Sequence, residues 1–101
     1  MSVYPLKVLY DFVDNGNILQ AGVTVSSRKF KKATQRNRIK RVLRETYRLQ
    51  KLPLQHVVTE QQRSVVLFFI YIGKELPVFA EVHEKMQVVL QRLIDNIVKA
   101  S

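Results

Sequence analysis

The 101-residue sequence contains no cysteine. That removes disulfides, thiolate metal sites and a cysteine nucleophile, and it fits a reducing compartment such as the cytoplasm. Tryptophan is also absent, and glycine and proline number only three each. There is no P-loop, no glycine-rich dinucleotide turn, no Gly-x-Ser-x-Gly elbow and no Ser/His/Asp set. His56 and His83 belong to no His/Asp/Glu cluster at ligand spacing. Glu81 and Glu84 open a helical pattern, where negative charge is favourable without any catalytic role. No apolar run approaches the roughly 20 residues of a membrane span; the longest, Val65–Ile72, has eight. The N-terminal residues lack the charged and apolar regions of a secretory signal. No catalytic set is expected in this chain.

Acidic residues are scarce as well, 8 against 17 basic, for a net charge of +9. Such a balance points to a polyanion, either nucleic acid or an anionic membrane surface. The apolar fraction of 47% is ordinary for a folded chain, and the length suits a single domain, residues 1–101, with one core. The charge is segregated. Arg28–Lys51 carries eleven basic residues against Glu45 alone, whereas the rest of the chain has six basic and seven acidic residues. A surface selected only for solubility would mix its signs.

Val3–Val13 reads as extended, and Asp14-Asn15-Gly16-Asn17 follows it. Asn-Gly is a strong hairpin signal, so Ile18–Val25 is expected to pair with the preceding strand, with Ala21, Val23 and Val25 on one face. Ser26–Lys32 is a polar, basic connection. From about Ala33 the period becomes helical. Ile39, Val42, Leu43, Thr46, Tyr47 and Leu49 share one arc, beside a basic arc of Arg36, Asn37, Lys40, Arg41, Arg44 and Arg48, with Arg38 at the margin. Thr34 is the expected N-cap, and Pro53 marks a boundary. Leu54–Gln62 reads as the helix end and a loop. The continuous run Val65–Ile72 suits a central strand covered on both faces. Glu81–Val98 repeats apolar residues at helical spacing. This order predicts an α/β sandwich with a small sheet.

The segment Ala33-Thr-Gln-Arg-Asn-Arg-Ile-Lys-Arg-Val-Leu-Arg44 carries the central chemistry. Arginine offers a rigid bidentate fork, lysine a point charge and asparagine a neutral donor and acceptor, which suits phosphate contact. A merely solvated face would interleave Glu with Lys. Here Arg36, Lys40, Arg44 and Arg48 are like charges at i,i+4, a repulsion of a few tenths of a kcal/mol per pair. A membrane-surface helix fits less well, because the apolar arc lacks tryptophan and the strands need it for a core. Among the aromatics, Phe12, Phe68 and Phe69 are expected in the core. Tyr10, which shares strand parity with Val8, is the best candidate for base stacking.

The run from Ala21 to Arg48, Ala-Gly-Val-Thr-Val-Ser-Ser-Arg-Lys-Phe-Lys-Lys-Ala-Thr-Gln-Arg-Asn-Arg-Ile-Lys-Arg-Val-Leu-Arg-Glu-Thr-Tyr-Arg, resembles the signature of the bacterial ribonuclease P protein-subunit family. That family joins a Val-Gly-x-x-Val-Ser strand to an Ala-x-x-Arg-Asn-Arg-x-Lys-Arg-x-x-Arg helix, and the spacing matches without a gap from Gly22 to Arg44. The resemblance extends more loosely from Tyr4 to Val98. It implies binding to a large catalytic RNA and to the 5′ leader of precursor transfer RNA, the RNA performing magnesium-dependent phosphodiester hydrolysis. Arg36, Asn37, Arg38, Arg41 and Arg44 inherit contact with the catalytic RNA, within an RNA-binding set that includes Arg28, Lys29, Lys32, Lys40 and Arg48. Val8, Tyr10 and Lys40 map onto the leader site. No protein partner, no membrane and no firmly bound cofactor are implied.

The implied fold is α+β, a small mixed sheet against helices with a left-handed crossover, although such connections are right-handed in roughly 98% of cases. Family members usually begin with a basic stretch and an aromatic-bearing helix that helps form the leader cleft. This chain opens at what reads as the first long strand, so that helix is expected to be missing. Ser27 and Thr34-Gln35 also depart from the family pattern. A ribosomal or RNA-chaperone-type module would share the charge segregation but not prefer precursor over mature transfer RNA. A helix-turn-helix protein would need a short helix before Ala33, where the sequence reads as strand and loop.

Overall fold

The structure, a computed structural model, describes residues 1–13 and 18–100. The elements are β1 (Ser2–Val3), β2 (Leu6–Val13), β3 (Leu19–Val25), α1 (Ala33–Gln50), α2 (Leu52–Glu60), β4 (Ser64–Tyr71) and α3 (Phe79–Ala100). They form a four-stranded mixed sheet of order β1-β2-β4-β3 with three helices, an α+β architecture. β4 pairs antiparallel with β2, from Leu6↔Tyr71 to Val13↔Ser64. On its other side it pairs parallel with β3, from Leu19↔Val65 to Val25↔Tyr71.

This pairing corrects the hairpin expectation. The Asn15-Gly16 turn lies outside the described residues, but its two flanking strands are not neighbours, because β4 lies between them. A tight turn joins strands about 4.8 Å apart, and here the gap is twice that. Ile18 lies beside the start of β4: its amide donates to Ser64 Oγ at 3.0 Å, and its carbonyl accepts from Val65 N at 2.9 Å. The most continuous apolar run takes the centre, where it gains a ladder on both edges.

Strand alternation sorts the sheet into two faces. Leu6 and Val8 of β2, Val65, Leu67, Phe69 and Tyr71 of β4 and Val25 of β3 are buried beneath the helices. α1 contributes Ile39, Leu43 and Thr46, α2 contributes Leu54 and Val58, and α3 contributes Val82, Met86, Val89, Leu90, Leu93 and Ile97. The Tyr47 and Phe69 rings meet at 5.2 Å. The opposite face stays open, with Leu9 53% and Phe68 48% exposed. β4 is therefore covered on one face only, and Phe68 is not a core residue as its composition suggested.

Three local expectations also change. Thr34 is no cap: Lys32 occupies the N-cap position of α1 with no side-chain cap bond. Leu54–Gln62 is mostly helix rather than loop, because α2 begins one residue beyond α1. Pro53 in its first turn cannot donate to the α1 carbonyls and so ends the first helix. α2 then closes with Gln62 at φ 52, as Gln62 N donates to the Thr59 carbonyl and Arg63 N to that of Val58, both at 3.1 Å. This is a Schellman-type stop without glycine.

Candidate nucleic-acid interface

The basic segment is built from a loop and a helix. Between β3 and α1, Phe30 points inward and is buried, with its ring 6.0 Å from that of Tyr71. It anchors a loop that turns through Phe30 N to Ser26 O at 3.2 Å and leaves Arg28, Lys29 and Lys32 exposed. Lys29 Nζ reaches the Ile72 carbonyl at 3.1 Å, tying the loop to the end of β4. Phe30 was not singled out from the sequence; the signal was one aromatic inside Arg-Lys-Phe-Lys-Lys.

On α1, Asn37, Arg38, Arg41, Arg44 and Arg48 are exposed, while Arg36 and Lys40 are half-buried. Arg36 differs in kind from its neighbours. Its Nη1 donates to the carbonyls of Phe30 at 2.8 Å and Lys31 at 2.7 Å, so it clamps the basic loop onto the helix. Arg48 pairs with Glu45, and this hydrogen bond holds the Glu45 carboxyl below its usual range. Among the described residues Arg38, Lys40, Arg41 and Arg44 pair with no carboxylate. The first turn of α1 carries no acid to complement the helix dipole. The result is an uncompensated positive surface along one helix and the loop that feeds it.

The leader residues expected from the resemblance do not come together with that surface. Val8 is 1% exposed and belongs to the core, because its strand face lies under the helices; this corrects the expectation of an exposed Val8–Tyr10 trough. Tyr10 is half-buried, and its hydroxyl accepts a hydrogen bond from Asn96 Nδ2 at 3.1 Å. It opens into a recess of about 540 Å³ lined by Met1, Arg92, Asp95, Asn96 and Lys99, with no residue of α1. The α1 and α2 residues Leu49, Gln50 and Pro53 meet the other flank of α3, at Gln87, Leu90, Gln91 and Ile94. α3 therefore separates the Tyr10 recess from α1. Lys40 is half-buried on α1 and lines neither recess. Arg92, Asn96 and Lys99 were also missed, although their i, i+4, i+7 spacing marks one stripe of α3.

His83 rests against Gln50, whose Nε2 lies 3.3 Å from its Nδ1, and stacks on Phe79 at 5.8 Å. Among the described residues no group of three His, Asp or Glu side chains could hold a metal ion. No described helix is long and apolar enough to cross a membrane.

Residues 2–94 match the family model described as Ribonuclease P. A ribonuclease P protein component of Porphyromonas gingivalis strain W83 is 37% identical over 97 residues, covering 94% of this chain and 71% of its own. That of a second strain, ATCC 33277, is similar to the same extent. The ribonuclease P protein component of Idiomarina loihiensis is 47% identical over 47 residues, covering 45% of this chain and 38% of its own. No solved structure matches. The match runs through both strand and helix of the Gly22–Arg44 signature and does not favour a ribosomal or RNA-chaperone module. The chain belongs to the ribonuclease P family.

Proposed function

We propose that this chain is the protein component of a bacterial ribonuclease P, holding the catalytic RNA on the basic loop and α1 and the 5′ leader of precursor transfer RNA elsewhere. The observation that carries this reading is the uncompensated basic face formed by Arg38, Arg41 and Arg44 with Arg28, Lys29 and Lys32. Phosphate neutralisation along an RNA backbone offsets the repulsion among these side chains. Asn37 adds a neutral donor and acceptor, and Arg36 keeps the loop and helix in one register.

The leader is assigned to the Tyr10 recess, without Val8, and Lys40 is assigned to the catalytic RNA. Arg92 and Lys99 supply phosphate contacts beside the Tyr10 ring. With α3 between the two surfaces, both RNAs can be held at once. Hydrolysis and the magnesium it uses belong to the RNA; the protein contributes position and charge. The site of action is the cytoplasm.

Reconstitution with a bacterial ribonuclease P RNA tests this reading. The protein is expected to lower the magnesium requirement for precursor cleavage and to favour precursor over mature transfer RNA. Equal binding of the two would point to a basic RNA module without a ribozyme partner. RNA cleavage by rigorously purified protein alone would overturn the division of labour.

A further inference from the structure

Asn96 stands on the stripe of α3 that borders the Tyr10 recess, between Arg92 and Lys99. It is the one asparagine in that helix, and asparagine is among the less favourable residues for a helix interior. It is also half-buried, so neither helix formation nor solubility accounts for it. What the amide does is visible in its contact. Its Nδ2 donates to the Tyr10 hydroxyl at 3.1 Å, joining α3 to β2 across 86 positions of chain.

That bond fixes two properties of Tyr10. The ring is held at its hydroxyl by Asn96 and at its side by Phe12, whose ring lies 6.2 Å away in an edge-to-face arrangement at 89°. A ring held in this way has little rotamer freedom left to lose, so a base that stacks on it meets a smaller ordering cost. The bond also sets the polarity of the hydroxyl. A phenol oxygen that accepts from an amide keeps its own proton to donate, and Tyr10 lines a recess of about 540 Å³. The charges around it are divided. Arg92 and Lys99 attract phosphate, whereas Asp95, which accepts from Gln91 Nε2 at 3.2 Å, repels it. A neutral donor at residue 96 orients the ring without adding a third cation beside it, which reserves the ring for a base.

We infer that Asn96 is a positioning residue for the 5′ leader: it sets the ring and hydroxyl of Tyr10 and acts on the RNA through Tyr10 alone. The inference rests on the reading that the leader lies in the Tyr10 recess, and it can fail while that reading stands.

The test is a double-mutant cycle on the full chain reconstituted with a bacterial ribonuclease P RNA. Affinities for precursor and for mature transfer RNA are measured in Asn96→Ala, Tyr10→Phe and the double variant, with Tyr10→Ala as reference. Alanine is the best helix former, so Asn96→Ala keeps α3 intact. Asn96→Ala and Tyr10→Phe are each expected to lower the precursor-over-mature ratio about fivefold, the scale of one hydrogen bond, with mature transfer RNA bound as before. The double variant is expected to be no worse than either single one, because both remove the same bond. Equal losses for the two transfer RNAs would make Asn96 merely structural, and additive losses in the double variant would give it a contact of its own; either overturns the inference. A wild-type ratio in Asn96→Ala beside a lowered one in Tyr10→Ala would remove Asn96 and leave the leader at Tyr10. A wild-type ratio in both would remove both.

Discussion

Arg36 holds Phe30 by its backbone: Arg36 Nη1 donates to the Phe30 carbonyl at 2.8 Å while the Phe30 ring is buried beside Tyr71. The basic loop is therefore fixed at both ends of one residue. Arg38 and Arg41, two and five positions on, make no such bond.

This difference predicts two classes of arginine variant. Arg38→Ala and Arg41→Ala are expected to weaken the catalytic RNA by about 1–2 kcal/mol each without altering the fold, the scale of charge-assisted contacts. Arg36→Ala is expected to weaken it at least as much and also to speed amide exchange in residues 28–32. Arg36→Lys should not restore the loop, because an ammonium cannot reproduce the paired contacts of one guanidinium nitrogen with the same rigid geometry. Exchange measurements on the free protein distinguish the classes; equal protection in all three alanine variants would remove the clamp.

RNA affinity is expected to depend steeply on salt. If about six phosphates are neutralised, log K falls against log salt with a slope of roughly −4 to −5. Arg41→Ala should reduce that slope by about one. A flat dependence would contradict the electrostatic account of α1.

Val8 and Tyr10 share a strand face but are expected to behave differently. Val8→Ala should cost about 2 kcal/mol of stability, because its side chain is buried, and leave precursor preference unchanged among folded molecules. Tyr10→Ala should reduce precursor preference over mature transfer RNA. Tyr10→Phe keeps the ring and loses only the bond from Asn96, at a cost of about 1 kcal/mol. Competition binding with stability measured on the same samples separates the two effects. Unchanged preference in Tyr10→Ala would take Tyr10 out of the leader site.

Burial pushes the Tyr47 phenol up from 10.0 to about 12. The folded state thus holds its proton more tightly than the unfolded chain. The associated stabilisation is complete below about pH 10 and is lost as pH rises toward 12. Absorbance titration should show a phenol ionising late, near pH 12, and Tyr47→Phe should remove that late phase. Tyr71 is also raised, first by burial, so it should not titrate early.

The charge segregation of Arg28–Lys51, the helix over Ile39, Leu43 and Thr46 and the strand character of the run Val65–Ile72, which β4 follows as far as Tyr71, were all legible in the sequence. Each rests on local periodicity or on residue identity, which neighbouring residues alone determine. The Gly22–Arg44 spacing likewise carried the family, because it is a pattern along the chain. What the chain order could not convey is which elements touch. The Asn15-Gly16 signal favoured a hairpin, yet inserting β4 between β2 and β3 satisfies two ladders for the most apolar strand. Eight consecutive apolar residues read as covered on both faces, yet only the alternate set that includes Leu67 and Phe69 is fully buried. Strand parity correctly put Val8 and Tyr10 on one face. Tertiary packing of α3 then decided that this face is core at Val8 and a recess at Tyr10. Side-chain chemistry is inherited from the sequence, whereas exposure is a property of the layer that happens to lie above it.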